Sequence, residues 1–191
     1  MPRLSLNICK TDLIKHFRRL SVVAVAIVLL ASAALGAPVH RVLPNGAQIV
    51  VEENHAAPVA AVRFYVGVGS VYEGEYLGAG ISHLIEHCCD RGTAQRSAEE
   101  IDQAEAAIGG YMNAYTTYDH TCYHVTASAQ QVGEVIYLLG DYVLGATFPE
   151  QEVDNQIKVI TREIARVDDD PQRAAFELFS QTMFRRHLQR Y

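Results

Sequence analysis

The order of hydrophobic and polar residues predicts several short strands. β-Branched or alternating apolar residues fill five runs, at residues 39–43, 48–52, 59–68, 111–117 and 121–128. Such runs, bounded by turn residues, are typical of β-strands. Pro44-Asn45-Gly46 separates the first two runs and predicts a hairpin. A turn near Tyr118-Asp119 joins the last two and predicts a second hairpin.

Helical spacing of apolar residues predicts five helices. They lie at about residues 79–90, 97–109, 131–144, 150–167 and 172–188. Ser97 and Glu100 have the spacing of a capping box, which marks the beginning of the second helix. Because the strands come mostly in hairpins and the helices in runs, we predict an α+β fold. Its helices would pack on one face of an antiparallel or mixed sheet.

The motif His83-Leu84-Ile85-Glu86-His87 lies in the first predicted helix. Its two histidines are one helical turn apart, so both imidazoles can bind the same metal ion. Glu86 lies on the same stripe, where it can accept a proton from a zinc-activated water during peptide hydrolysis. The opposite face, which we expect to be buried, carries Ile81, Leu84, Ile85 and Cys88. The alternative interpretation is an amphipathic helix with a solvated polar face.

Glu163, in the fourth predicted helix, is the candidate third ligand. It lies on the shoulder of a stripe that we expect to be buried, formed by Val153, Ile157, Ile160, Ile164 and Val167. An unpaired carboxylate held towards the interior is unfavourable, and a catalytic zinc site usually has three protein ligands. A metal ion would explain Glu163, and a salt bridge to an arginine is the alternative.

Residues 1–36 have the composition of a secretory signal peptide. Five basic residues and one acid accompany an apolar run at residues 20–35, which small residues close. The run is short for a membrane span, which needs about 20 apolar residues. We therefore predict export to the bacterial periplasm or cell envelope. An uncleaved membrane anchor is the alternative.

Charge and cysteine content narrow the function classes for residues 37–191. The whole chain has 16 basic and 22 acidic residues. Residues 37–191 contain 11 of the basic and 21 of the acidic residues, which gives this part a formal charge of −10. This balance argues against a nucleic-acid surface. Three cysteines remain, an odd number that does not make a disulfide framework. Cys88 and Cys89 follow the motif directly, and we interpret them as buried thiols.

The spacing of the motif and the third glutamate resembles that of the M16 peptidases, the inverted-zincin group of pitrilysin, insulinase and processing peptidase. Glu163 follows H-x-x-E-H after 75 intervening residues. The resemblance covers about residues 39–191 and includes the segments Leu43-Pro44-Asn45-Gly46, Arg91-Gly92-Thr93, Asn113-Ala114-Tyr115-Thr116 and Asp169-Asp170-Pro171. It implies an M16 peptidase-like (LuxS/MPP-like metallohydrolase) fold and a zinc metalloendopeptidase that acts on peptides or unfolded polypeptides.

The resemblance also implies roles for individual residues. One zinc ion per chain would be bound by His83, His87 and Glu163. Glu86 would be the catalytic general base. Asn113 and Ala114 would contact the peptide substrate, because family members bind a peptide as an added strand beside this segment.

Two features depart from the family pattern. Gln156 stands where many members have a glutamate, seven residues before the third ligand, so it can hydrogen-bond but carries no charge. The chain is also shorter than the usual first domain, so residues 37–191 would form a zinc-binding domain that is incomplete at its C-terminus. We therefore expect a second M16-like half or a partner subunit. A non-catalytic or truncated subunit with a role in assembly is the alternative function.

Overall fold

A computed structural model describes residues 37–184, apart from the side chains of residues 167 and 168. The predicted signal peptide, residues 1–36, lies outside the described residues. The chain divides into two units, with the boundary between Ala57 and Pro58. Within residues 37–184, no helix combines the length and apolar character that crossing a bilayer requires.

The first unit contains the hairpin that Pro44-Asn45-Gly46 predicted. Strands β1 (Val39–Val42) and β2 (Gln48–Val51) pair antiparallel. Gly46 in the turn has φ +86°, a conformation that glycine adopts without steric strain. All residues of both strands are exposed.

The second unit is built on a three-stranded antiparallel sheet. Its strands are β3 (Val59–Val66), β4 (Tyr111–Thr116) and β5 (Thr121–Ser128). β5 lies in the centre and pairs with β3 on one side and β4 on the other. Within the described residues, β4 is therefore an edge strand.

Five α-helices accompany this sheet: α1 (Ile81–Cys89), α2 (Ala98–Ile108), α3 (Val132–Gly145), α4 (Glu150–Asp168) and α5 (Pro171–Met183). Ser97 and Glu100 form the predicted capping box before α2, and Gly109 ends this helix in the left-handed conformation. The sequence predicted that the last helix ends at residue 188. Helix α5 ends at Met183 instead, because the backbone of Phe184 is extended.

The core of the second unit lies between β5 and helices α2 and α3. Its most deeply buried members include Ile101 of α2, Val125 of β5, and Val135 and Leu139 of α3. Helices thus pack on an antiparallel sheet, and the predicted α+β class is confirmed.

The packed sides of α1 and α4 agree with the prediction only in part. On the predicted faces, Cys88 is 1% exposed, and Leu84 and Ile160 are half-buried. Ile85 in α1 is 44% exposed, and Ile157 and Ile164 in α4 are 46% and 58% exposed. The two helices also contact each other through the side that carries the motif histidines and Glu163. Apolar periodicity identified only part of each packed surface, because that surface also includes polar site residues.

Candidate metal centre

Three side chains of α1 and α4 converge on one point. His83 Nε2 and His87 Nε2 are 3.1 Å apart. Glu163 Oε2 lies 3.8 Å from the first nitrogen and 3.5 Å from the second. A tetrahedral zinc ion with bonds of about 2.0–2.1 Å holds its ligand atoms about 3.3–3.4 Å apart. The three separations bracket this value, so the two imidazoles and the carboxylate fit one zinc ion.

A fourth polar side chain contacts this group from α4. His87 Nδ1 lies 3.4 Å from Gln156 Oε1, which is a long hydrogen bond. A histidine that binds a metal through Nε2 carries its proton on Nδ1, and a partner for that proton fixes the ring. Gln156 is therefore placed to orient His87, as its position seven residues before Glu163 suggested.

The beginning of α1 depends on a residue well upstream. Gly80, with φ +76°, precedes the helix and offers no side-chain cap. Glu73 instead accepts hydrogen bonds from the amides of Ser82 at 2.8 Å and Gly80 at 3.3 Å. Free amides at a helix N-terminus need acceptors and favour negative charge. The role of Glu73 could not be predicted from the sequence, because capping signals normally lie next to the helix.

Glu86 also has a partner whose role is not evident from the sequence. Thr116, the last residue of β4, donates a hydrogen bond from Oγ1 to Glu86 Oε2 at 2.5 Å. Thr116 belongs to the segment that resembles the M16 family, but thirty residues separate it from Glu86. The side chains of Thr116 and Glu86 meet because β4 packs against α1.

All seven site residues predicted from the sequence line one cleft of about 610 Å³: His83, Glu86, His87, Asn113, Ala114, Gln156 and Glu163. Asn113 and Ala114 belong to the edge strand β4. The amide of Ala114 donates to Asn113 Oδ1 at 2.9 Å. The Asn113 side chain is thus a local partner for a backbone amide on the wall of the cleft.

Another wall of the cleft carries charged side chains of both signs. Arg91 donates to both carboxylate oxygens of Asp90 at 2.8 Å. Burial raises the pKa of the nearby Glu105 to about 6, and the negative charge of Asp90 adds to this effect. The cleft therefore combines the three convergent ligand atoms with charged groups on its wall.

The two thiols after the motif are directed away from the cleft surface. Cys88 and Cys89 are 1% and 4% exposed. Burial raises the pKa of both thiols, and the Tyr123 hydroxyl donates to Cys89 Sγ at 3.2 Å. Among the described residues, the one group of three or more side chains arranged to hold a metal is His83, His87 and Glu163. Its donor atoms are nitrogen and oxygen.

Comparisons with known proteins agree with this geometry. The sequence profile of the family described as Insulinase (Peptidase family M16) matches residues 48–191. An uncharacterised zinc protease of Mycobacterium bovis is 37% identical over 155 residues, which cover 81% of this chain and 35% of that protein. The chain thus spans about a third of the length of this curated relative.

Solved structures show the same fold. A protease from Helicobacter pylori gives a TM-score of 0.74 at 26% identity, over 81% of this chain and 37% of that chain. A peptidase M16 inactive domain from Pseudomonas fluorescens gives a TM-score of 0.71 at 16% identity, over 82% of this chain and 38% of that chain, which is a likeness of fold alone. Given the profile match and the sequence identity, this chain belongs to peptidase family M16.

Proposed function

We propose that this chain is the zinc-binding part of a metalloendopeptidase that hydrolyses peptide bonds in peptides or unfolded polypeptides. One observation carries the proposal: the ligand atoms of His83, His87 and Glu163 lie within 4.8 Å of one another and share a cleft with Glu86. The M. bovis relative named as a zinc protease supports it.

The side chains of the cleft have two different roles, metal binding and proton transfer. His83, His87 and Glu163 would hold zinc, which when bound supplies a Lewis acid that polarises the scissile carbonyl and favours deprotonation of water. Glu86 accepts a proton from the attacking water as the new C–O bond forms. It then returns that proton to the amine nitrogen as the C–N bond breaks. One carboxylate thus serves as base and then as acid.

The edge strand β4 is the proposed site for the substrate backbone. An extended peptide can add to a free sheet edge through main-chain hydrogen bonds. At this edge, the Ala114 amide is held by Asn113 Oδ1, and both residues line the cleft. We infer that a peptide carbonyl replaces Asn113 Oδ1 at this amide, which would align the substrate beside Glu86.

Metal content and peptidase activity test the proposal together. Purified wild-type protein should hold one zinc per chain, and His87→Ala should lose it, as measured by elemental analysis. Glu86→Gln should retain the zinc and lose any peptide cleavage. Equal zinc content in wild type and His87→Ala would contradict the ligand assignment. Equal cleavage by wild type and Glu86→Gln would contradict the role of the general base.

A non-catalytic family subunit is the second candidate function. The match covers 35% of the M. bovis relative, 37% of the H. pylori chain and 38% of the P. fluorescens chain, so most of each of these proteins lies outside the matched region. We infer that cleavage requires a second M16-like half or a partner subunit. Peptide cleavage should therefore appear, or increase, when such a half is added to the wild type. Glu86→Gln under the same conditions should stay inactive, and an inactive wild type with the added half would favour the assembly role.

The proposed location is the bacterial periplasm or cell envelope. Residues 1–36, with their basic beginning and apolar run, support export. N-terminal sequencing of the protein from an envelope fraction should begin after the small residues near Gly36. A protein that keeps Met1 and stays with the membrane would instead have an uncleaved anchor.

A further inference from the structure

The hydrogen bond between Thr116 and Glu86 has a defined direction. An ionised carboxylate carries no proton, so the threonine hydroxyl is the donor. The separation of 2.5 Å lies at the short end of the range for hydroxyl donors to charged oxygen acceptors. Such charge-assisted bonds are roughly twice as strong as bonds between neutral groups.

A neighbouring hydroxyl strengthens this assignment. Thr121 Oγ1 lies 3.3 Å from Thr116 Oγ1 and donates its own proton to the carbonyl of Val68 at 3.0 Å. A hydroxyl has one proton, so Thr121 can only accept from Thr116. The Thr116 proton therefore has two possible acceptors, and Glu86 is the nearer and the charged one.

The backbone that carries Thr116 is fixed from both sides. Thr116 lies opposite the buried Thr121 in the register of β4 and β5. The next residue, Thr117, donates its amide to the His120 carbonyl at 2.8 Å and accepts from the Ser70 amide at 3.2 Å. The Thr116 hydroxyl is thus held on a well-supported strand end, and well-supported elements hold site residues more precisely than free loops do.

We propose that Thr116 is the positioning residue for Glu86. Its hydroxyl donates a hydrogen bond to Glu86 Oε2 and holds the Glu86 carboxylate in one rotamer. Oε1 of Glu86 is then left to receive the proton of the attacking water. This inference rests on the proposed peptidase function and adds the residue that orients its base. Thr116 touches none of the three ligand atoms that would bind zinc, so its removal should leave metal binding intact.

The orientation of Glu86 can be measured without turnover. In the zinc-loaded full chain with labelled glutamate, side-chain coupling constants from NMR should show a single Glu86 rotamer in wild type. Thr116→Val and Thr116→Ala, which both remove the hydroxyl, should show rotamer averaging, while Thr116→Ser should restore the wild-type pattern. Thr126→Val is the matched control, because Thr126 is an exposed threonine on β5. An unchanged Glu86 pattern in the folded hydroxyl-less variants would overturn the proposal.

Cleavage assays give an independent second readout. With one zinc per chain retained, Thr116→Val should lower kcat by about 100-fold, the scale expected when a catalytic group is misplaced by about 1 Å. KM should stay close to that of wild type, and Thr116→Ser should recover most of the loss. If wild type cleaves no peptide even with an added second M16-like half, the proposed function fails, but the Glu86 couplings still decide the role of Thr116. A fall in zinc content in Thr116→Val, without rotamer averaging, would show a merely structural contact and overturn the proposal.

Discussion

Helices α1 and α2 follow one another in the chain, but their ends are fixed in different ways. α2 is capped by adjoining residues, with Ser97 and Glu100 at its beginning and Gly109 at its end. α1 follows Gly80, which has no capping side chain, and its first amides find their acceptor in Glu73, several residues upstream. The site face of α1 is then held by partners from β4 and α4.

This difference separates a helix that supports the fold from one that carries the site. α2 places Ile101 and Ile108 in the core, and its ends form from local signals. α1 carries the candidate metal residues and depends on contacts with distant segments. Changes at those distant contacts should therefore alter the site while α2 stays formed.

The largest effect should come from Gly69→Ala, which disturbs the segment leading to α1. A Cβ at this position would lie 2.4 Å from the Thr117 carbonyl oxygen and 2.7 Å from the Tyr118 carbonyl carbon. Since these neighbours are backbone atoms, we expect a loss of about 3 kcal/mol in the free energy of unfolding, the upper end of the usual range for overpacking. Urea denaturation measures this loss.

Gly133→Ala is the matched control for this substitution. No atom lies within 4 Å of a Cβ built at Gly133, which is in helix α3. Alanine there should keep the free energy of unfolding or raise it by about 0.5–1 kcal/mol. Equal destabilisation by both substitutions would show that the contact between Gly69 and the turn after β4 does not matter.

Gln156→Ala should reduce the zinc affinity and leave the free energy of unfolding of the protein nearly unchanged. Loss of a partner that orients a metal-binding histidine typically weakens binding by about 10–100-fold. The contact from Gln156 to His87 is long, 3.4 Å, so we expect about tenfold. Competition with a chromophoric chelator measures the change, and Gln156→Glu should keep wild-type affinity or exceed it. An unchanged zinc affinity in Gln156→Ala would show that Gln156 does not contribute to metal binding.

Glu73→Ala and Ser97→Ala compare the distant and the local cap directly. Each should lower the free energy of unfolding by about 1 kcal/mol, the usual effect of losing a helix cap. Only Glu73→Ala should also weaken zinc binding, because it frees the beginning of α1. The paired measurements are urea denaturation and zinc titration. A weaker zinc affinity in Ser97→Ala would show that α2 and the site are not separable.

The smallest effect should be a change in the pH dependence of stability at Glu105, where α2 meets the cleft. Its folded-state pKa of about 6 lies above the unfolded value of about 4.3. Folding therefore favours the protonated form, and this stabilisation is present at low pH and lost as the pH rises from about 4.3 through about 6. Glu105→Gln should remove this loss and be more stable than wild type at pH 7.

The expected gain for Glu105→Gln is below about 1 kcal/mol, because solvent screens a half-buried charge. Urea denaturation at pH 4.5 and pH 7.5 measures the difference between the two proteins. The exposed Ala107 on the same helix is the control position, and Ala107→Gln should keep the wild-type difference between the two pH values. A parallel pH dependence of Glu105→Gln and wild type would mean that burial of Glu105 has no effect on stability.

The same contrast explains how far the sequence could predict the structure. The caps of α2 and the turn at Gly46 follow from residues next to each element, so composition and spacing identified them. The candidate ligands His83 and Glu163 could be predicted because helical spacing and family resemblance both carry that information. In the structure, His83 and Glu163 line one cleft together with the other predicted site residues.

The contacts that the sequence did not predict are all made between distant segments. Glu73 reaches α1 across an intervening turn, and Thr116 reaches Glu86 across packed elements. The packed sides of α1 and α4 were predicted only in part, because periodicity treats polar residues as outward-facing. When polar side chains pair with one another, as His87 and Glu163 do, they form part of the packed surface.

The inward thiols of Cys88 and Cys89 bear on which metals can compete for the cleft. Soft ions such as copper(I) prefer sulfur donors, whereas imidazole and carboxylate suit zinc. Both sulfur atoms adjoin the motif in sequence, yet burial separates them from the ligand atoms of His83, His87 and Glu163. If the candidate centre holds zinc as proposed, this arrangement lets the chain carry neighbouring cysteines and still discourage displacement by thiophilic metals.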